Sequence, residues 1–358
     1  FPEGALSGQA RLYADGVYPT ESGRARFHAA PYRPVAEAID ARYPLHLNTG
    51  RLRDQWHAMS RTGRVARLFA HADTPALAMN VRDLELRRLK SGDLVQVKSR
   101  RGEVIVVAEA SDSVRPGQCF LPMHWGARFM GGLGINALTL PLFDAVSKQP
   151  ELKHAAVQVA KAELPWRMAA LAVGDGTRLL DAVQPLLRAC NYAAAGLAGR
   201  DRDVLTLRLA HTQPLPDAML AALDAALGLD DPLAVMHYQD SPHGISKRVR
   251  VDAGKVTAAR LTGETAAFDW LRDVIVEGVD AASLRAWMLA PVARPPAGGA
   301  ARGRIVCNCL NVAEPDIVAA IAAGASLAAL QSELKCGSEC GSCVPELKRL
   351  LSARRAAA

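Results

Sequence analysis

Apolar and polar residues alternate in short bursts through the first half of the chain. The segment "LHLNTGR" at 45–51 starts in alternation and ends in a turn, and "SGDLVQVKSRRGEVIVVAEA" at 91–110 reads as two alternating segments about Arg101-Gly102. "GQCFLPMHW" at 117–125 is another short strand. Strands and turns with a few helices are therefore expected over 45–165, and a β-barrel is the natural way to bury their apolar faces. Farther along, "LDAVQPLLRACNYAAAGLAG" at 180–199 and "LPDAMLAALDAALGL" at 215–229 are Ala/Leu-rich and read as helical. "KRVRVDAGKVTAARL" at 247–261 alternates about a turn at Ala253-Gly254, and "GETAAFDWLRDVIVEG" carries Phe268, Leu271, Val274 and Ile275 at helical spacing. This predicts an α+β region over 166–290.

A Pro/Gly/Ala/Arg stretch, "PVARPPAGGAARG" at 291–303, cannot continue a helix or strand and reads as a linker. Three short helices are expected in the last unit, 304–358. "EPDIVAAIAAG" has Pro315 early, Ile317, Val318 and Ile321 as its apolar positions, and Gly324 as its stop. Ser326 caps "LAALQSEL", and Pro345 opens "PELKRLL".

Composition narrows the class. A chain of 358 residues, half hydrophobic and about a fifth charged, suits two or three folded units and is wrong for a disordered chain. No apolar run approaches the roughly 20 residues of a spanning helix, so no membrane partner is expected, and no secretory pattern opens the chain. It begins without methionine in a turn-rich segment, which suggests a fragment. The formal charge of +7 favours anionic partners: nucleic acid, diphosphate cofactors or acidic proteins.

Five of the seven cysteines fall in the last unit. Cys307-x-Cys309 is followed, after 30 residues, by Cys340-x-x-Cys343. Such pairs suit a disulfide framework, structural zinc or an iron–sulfur cluster; Cys307 and Cys309 are poorly spaced to pair with each other, and zinc knuckles commonly have two or more residues between ligands. Cys336 competes for the fourth position. Cys119 and Cys190 stand alone and read as packing residues.

A second concentration of chemistry is "NTGRLRDQWHAMSRTGRVARLF" at 48–69, with five arginines, one histidine and one tryptophan. Composition alone allows a solvated charged face, a loop for anionic ligands in which arginines meet phosphate in pairs, or an RNA-binding surface. No recognised nucleic-acid motif accompanies it, and no nucleic-acid partner is expected.

Family resemblances sharpen both readings. The run "VCNCLNV" with the following glycines, helix faces and "CGSCVPEL" resembles the bacterioferritin-associated ferredoxin-like domain, a small all-α module. That resemblance implies a [2Fe-2S] cluster on Cys307, Cys309, Cys340 and Cys343; Ala313 departs from the family's usual Ser or Thr helix cap. "TGR", "QWH", "SGDLVQVKSRRG", "MHWG", "NALT" and "SKQPELKHAAVQV" occur in the order found in the dinucleotide-binding domain of molybdopterin oxidoreductases. This second resemblance implies a double-psi β-barrel over 45–165, with Thr49, Gly50, Arg51, Trp56, His57, Ser60, His124, Asn136 and Lys153 against a molybdopterin guanine dinucleotide. Ala58 and Ala145 depart from its common pattern. Residues 1–44 resemble the segment that enters this barrel from a molybdenum-holding domain.

The combination resembles the catalytic subunit of cytoplasmic assimilatory nitrate reductases. It implies Mo-bis-MGD and a [4Fe-4S] cluster in a longer protein, nitrate as substrate, and a ferredoxin, flavodoxin or NADH-linked reductase as electron donor. No catalytic residue is expected in this chain, which would lack the active-site domains. The competing readings are another bis-MGD oxidoreductase, such as a formate dehydrogenase, and a non-catalytic iron–sulfur electron-transfer module.

Overall fold

The computed structural model describes residues 11–29, 31–294 and 303–357, so most of the expected linker lies outside the described residues. Residues 1–38 form one unit and 39–358 another. In the first, turns carry the chain: the Tyr18 amide donates to the Gly23 carbonyl at 2.9 Å, and the rings of Tyr13 and Tyr18 stand 5.2 Å apart.

The second unit begins with a closed barrel. Its strands are β1 (Leu45–Gly50), β2 (Ala76–Met79), β3 (Leu94–Lys98), β4 (Glu103–Ala110), β5 (Gln118–Pro122) and β6 (His154–Lys161), with helix α1 (Val81–Leu86) after β2. The order around the barrel is β1-β5-β2-β4-β3-β6. Alternation works as expected: Leu45 and Leu47 of β1, Val104 and Val106 of β4, and Leu121 of β5 point into the core. The β3–β4 hairpin closes on a bond from the Ser99 amide to the Gly102 carbonyl at 2.9 Å. Two pairings are parallel, β1 with β5 and β2 with β4, and the remainder are antiparallel.

Beyond the barrel come β7 (Trp166–Val173), α2 (Gly176–Ala182), α3 (Gln184–Ala189), β8 (Tyr192–Ala198), β9 (Val204–His211), α4 (Asp217–Ala226), β10 (Val235–Asp240), β11 (Ile245–Asp252), β12 (Lys255–Thr262) and α5 (Phe268–Glu277). The strands form an antiparallel sheet in the order β10-β11-β12-β7-β9-β8. Here the helical reading of 180–199 fails in its second half, because "NYAAAGLAG" supplies strand β8. The physical cause is burial on both sides. Ala193, Ala195 and Leu197 face the core shared with the barrel, whereas Tyr192 and Ala194 pack with Leu94 and Leu164. A strand apolar on both faces loses its alternation and is indistinguishable by pattern from a buried helix. β7 is hidden in the same way, with Met168, Ala170 and Ala172 on one face and Ala169 and Leu171 on the other, under α5. The hairpin at 247–261 and helix α5 form where the pattern placed them; Ala253 and Gly254 both take positive φ, as the two-residue turn demands.

The last unit adds β13 (Ile305–Cys307), β14 (Val312–Ala313), α6 (Glu314–Ala322), α7 (Leu327–Glu333) and α8 (Val344–Ala357). Its helices fall where expected, and the Ser326 hydroxyl accepts from the Ala329 amide at 3.2 Å as the N-cap of α7. Ala313 leaves α6 without a side-chain cap. The small two-stranded ladder of β13 and β14 corrects the all-α expectation. Val306, Ile317, Ile321, Leu330 and Leu347 close a separate core around three of the cysteines.

Within the middle sheet, Asp224 of α4 and Arg260 of β12 are both buried and meet in a two-pronged ion pair at 2.6 and 2.9 Å, with Arg248 at 3.2 Å from the same carboxylate. Removing Arg260 leaves the buried Asp224 carboxylate with the more exposed Arg248 as its remaining partner and breaks the two-pronged pair. Arg260→Met is expected to cost about 3 kcal/mol in urea denaturation, with much of it regained in the double variant Asp224→Leu, Arg260→Met.

Candidate functional site

Three strand ends converge at one rim of the barrel. β1 and β5 run parallel, pairing Gly50 with Pro122, and the Met123 amide donates to the Gly50 carbonyl at 2.9 Å. β6 starts on the other side of β1, with His154 opposite Asn48. The loop after Gly50, the His124 turn and Lys153 thus share one end of the barrel although they are far apart in sequence. Gly50 is needed where it stands, since a Cβ there would lie 2.7 Å from the Phe120 ring.

The loop after Gly50 is braced from within. The Thr62 hydroxyl donates to the Gln55 side chain and accepts from the Trp56 amide at 3.0 Å, and the Gln55 amide group reaches the Leu68 carbonyl at 3.0 Å. Ala58 and Met59 both adopt positive φ, costing roughly 1–2 kcal/mol each, so the loop holds a tight reversal despite that strain. Its exposed face presents Arg51, Trp56, His57 and Ser60. The Arg51 and Arg61 guanidinium groups each stand 5.6 Å from the Trp56 ring, Arg51 hydrogen-bonds the His57 ring, and His57 meets Trp56 edge-on at 5.0 Å. Thr49 is buried, its hydroxyl donating to the Leu152 carbonyl.

His124 lies beneath this face, wholly buried, with neither ring nitrogen in a hydrogen bond; the neighbouring Trp125 indole N–H is equally unpartnered. Burial pushes the His124 imidazole below its ordinary value against the opposing effect of the Trp56 backbone, and the charges of His57, Arg51 and Lys153 push it the same way as burial. Buried donors and acceptors left open beside two cations are what a polar anionic ligand would satisfy. Asn136 is exposed on a short turn of helix tied to this region through the Ile135 amide and the Trp125 carbonyl, at 3.1 Å. The rim therefore gathers Thr49, Gly50, Arg51, Trp56, His57, Ser60, His124 and Lys153, with Asn136 at its edge.

The second site is the cysteine group. Cys309 and Cys340 are exposed and their sulfurs are 2.9 Å apart; Cys307 and Cys343 are buried neighbours, close enough for Cys307 to raise the Cys343 thiol. Each cysteine of the first pair thus faces one of the second. Cys336, buried beside Cys307 and Cys343, turns its thiol to the Leu330 carbonyl at 3.4 Å. All seven cysteines are free thiols, and among the described residues no group of three or more His, Cys, Asp or Glu side chains is disposed around one metal ion. Lys335, Gly337 and Gly341 take positive φ in the loop that carries the second pair. Desolvation and the neighbouring Cys307 push the Cys343 thiol up to about 12. A soft metal that displaces the protons relieves this crowding. Four thiols in two facing pairs are the donor set that would hold an iron–sulfur group.

The sequence reading missed the polar contacts joining the two sites. Arg53 donates to Asp54 at 2.9 Å and to Glu346 at 3.0 Å, and the Asn308 amide group, between the first two cysteines, donates to Asp54 at 2.7 Å. Glu346 also meets Arg304 at 2.7 Å and His71 at 3.3 Å. Arg200 of the loop after β8 forks onto the Asn308 and Cys309 carbonyls at 2.8 and 3.2 Å. A polar residue inside the cysteine spacing and an acid in the first turn of α8 were visible signals; their partners, hundreds of residues away, were not.

Residues 45–156 match the molydopterin dinucleotide binding domain family and residues 305–353 the BFD-like [2Fe-2S] binding domain family. The chain thus joins a molybdopterin dinucleotide-binding domain to a BFD-like [2Fe-2S]-binding domain. Among characterised relatives, it is 32% identical to a nitrate reductase of Klebsiella oxytoca over 94% of its own length, and 40% identical to a nitrate reductase of Synechocystis sp. over 44% of it. It spans only 37% and 22% of those two proteins. Acetylene hydratase from Pelobacter acetylenicus aligns over 34% of this chain and 18% of its own, at a TM-score of 0.29 and 18% identity, too remote to inform the site.

Glu346 offers a pH test of the junction. Burial alone would raise its carboxyl, but the hydrogen bond from His71 and the charge of Arg304 outweigh it and hold the group at about 2. A carboxyl held below its ordinary 4.5 contributes stability that is complete above that pH and fades as pH falls toward 2. In cluster-free protein, Glu346→Gln is expected to lower stability by about 2–3 kcal/mol near neutrality, and its melting temperature should approach that of the parent chain as pH drops through this window.

Proposed function

We propose that the chain is the dinucleotide-binding and electron-relay portion of a molybdenum-dependent assimilatory nitrate reductase acting in the cytoplasm, which reduces nitrate to nitrite with two electrons and two protons. The observation that carries this reading is the juxtaposition of its two sites: the loop facing the dinucleotide also carries the ion pair against the cysteine domain. Similarity to nitrate reductases over nearly the whole chain supports nitrate as the substrate of the longer protein. No described helix is long and apolar enough to cross a membrane.

In this reading Arg51, His57 and Lys153 meet the diphosphate, and the exposed Trp56 indole, with Arg51 and Arg61 each 5.6 Å from its ring, packs on the guanine or ribose. Thr49, Gly50, Ser60 and Asn136 line the approach, and His124 supplies the buried polar edge beneath. Cys307, Cys309, Cys340 and Cys343 hold the [2Fe-2S] cluster, and the inward-turned thiol of Cys336 supports leaving it out of the ligand set. When bound, the molybdenum cofactor supplies the centre for oxygen-atom transfer and the cluster supplies one-electron carriage. A [4Fe-4S] cluster in the longer protein and a ferredoxin, flavodoxin or NADH-linked reductase as donor complete the proposal.

Anaerobic purification should give about two irons and two acid-labile sulfides per chain, with an EPR signal after dithionite that is lost in Cys307→Ser and Cys340→Ser and kept in Cys336→Ser. Zinc without sulfide would make the tail structural and remove the relay. Guanosine diphosphate titrated into the chain should bind roughly tenfold more weakly in Arg51→Gln, the loss of one charge-assisted contact; equal affinity would exclude Arg51 from the dinucleotide site.

A further inference from the structure

Arg53 and Asp54 belong to neither ligand set, yet both are charged groups of the barrel in direct contact with the cysteine domain. Both are largely buried, at 17% and 9% side-chain exposure, and their guanidinium and carboxylate meet at 2.9 Å. Asp54 accepts from Asn308, the residue between Cys307 and Cys309, while Arg53 reaches Glu346, three residues beyond Cys343 on the first turn of α8. The opposed charges thus approach the cysteine group through different loops. The Arg53 charge reaches the Cys343 thiol, and the Asp54 charge reaches the Cys340 thiol.

We infer that Arg53 and Asp54 set the reduction potential of the cluster from the barrel side, with opposite signs. This rests on the cluster assignment made above. Reduction places one added electron, and so one added negative charge, on the cluster without making or breaking a bond, and potentials of such clusters respond to nearby charge and solvent exposure. A buried guanidinium stabilises the more negative state, and a buried carboxylate opposes it. Little water reaches either group, so screening by solvent and salt is weak. The same two residues lie between Arg51 and Trp56 in sequence, on the loop that faces the dinucleotide, so the element that binds one cofactor also tunes the other.

The test is a dithionite redox titration of the purified chain followed by EPR, with iron and sulfide measured for every variant. Arg53→Gln should move the midpoint to more negative potential, Asp54→Asn to more positive potential, and Arg53→Lys should leave it near the parent value with the cluster retained in each. Loss of a hydrogen bond or loosening of the loop alone would not produce opposite shifts, so a shared direction, or no shift with full cluster content, overturns the inference. If Arg53→Gln loses iron, Asp54→Asn and Arg53→Lys decide: an upward shift in the first with none in the second supports it, and any other pattern overturns it. A parent chain without iron and sulfide overturns the cluster assignment itself, and this inference with it.

Discussion

Parallel pairing of β1 with β5 is the constraint on which the site depends. It brings the C-terminal ends of two strands, Gly50 and Pro122, to the same rim, so the Arg51–Ser60 loop and the His124 turn rise side by side. An antiparallel pairing would send the second loop to the opposite end of the barrel. Because a parallel neighbour needs a long crossover, everything from Arg51 to Gly117 is spent making that return, and the crossover carries β2, β3, β4 and α1 around the barrel. β6, antiparallel on the other side of β1, adds Lys153 from a third direction.

Electrostatics then divides the rim into two functions. Toward the proposed dinucleotide face stand cations and unpartnered polar atoms: Arg51, Lys153, and the ring of His124 with no hydrogen bond of its own. Toward the cysteine domain the same loop turns Arg53 and Asp54, which form a compensated set of charges with Arg304 and Glu346 of that domain. Open polarity suits a ligand that arrives, whereas matched polarity suits an interface that stays. Buried pairs of this second kind add little net stability compared with an apolar contact, but they penalise any misplacement severely. That specificity fixes how the cysteine domain seats on the loop.

The core has the same economy. A single hydrophobic cluster runs from inside the barrel to one face of the middle sheet, through Phe69, Trp125, Phe129 and Met130, so the sheet supports the rim loops from behind. Phe129 and Gly131 extend the outer edge of β8 through backbone bonds to Ala195 and Ala193, at 2.8 and 3.0 Å. The edge strand is thereby covered by the segment that follows His124.

Local chemistry was legible from the sequence: the cysteine spacing, the three helix starts and stops of the last unit, the β3–β4 and β11–β12 hairpins, and the basic loop. Each is written in neighbouring residues, where turn geometry, capping and alternation act over a few positions. The middle sheet was only partly legible, because β7 and β8 are apolar on both faces and packing against two layers erases their period. Arg53, Asp54, Asn308 and Glu346 were illegible as partners, since the Arg53–Glu346 and Asp54–Asn308 contacts are each more than 250 residues apart in sequence and no local rule pairs them. The sequence alone determined the two local groups of chemistry, the basic loop and the cysteine pairs. Only the tertiary structure decided that both sites share one loop, because that depends on where a parallel ladder returns the chain.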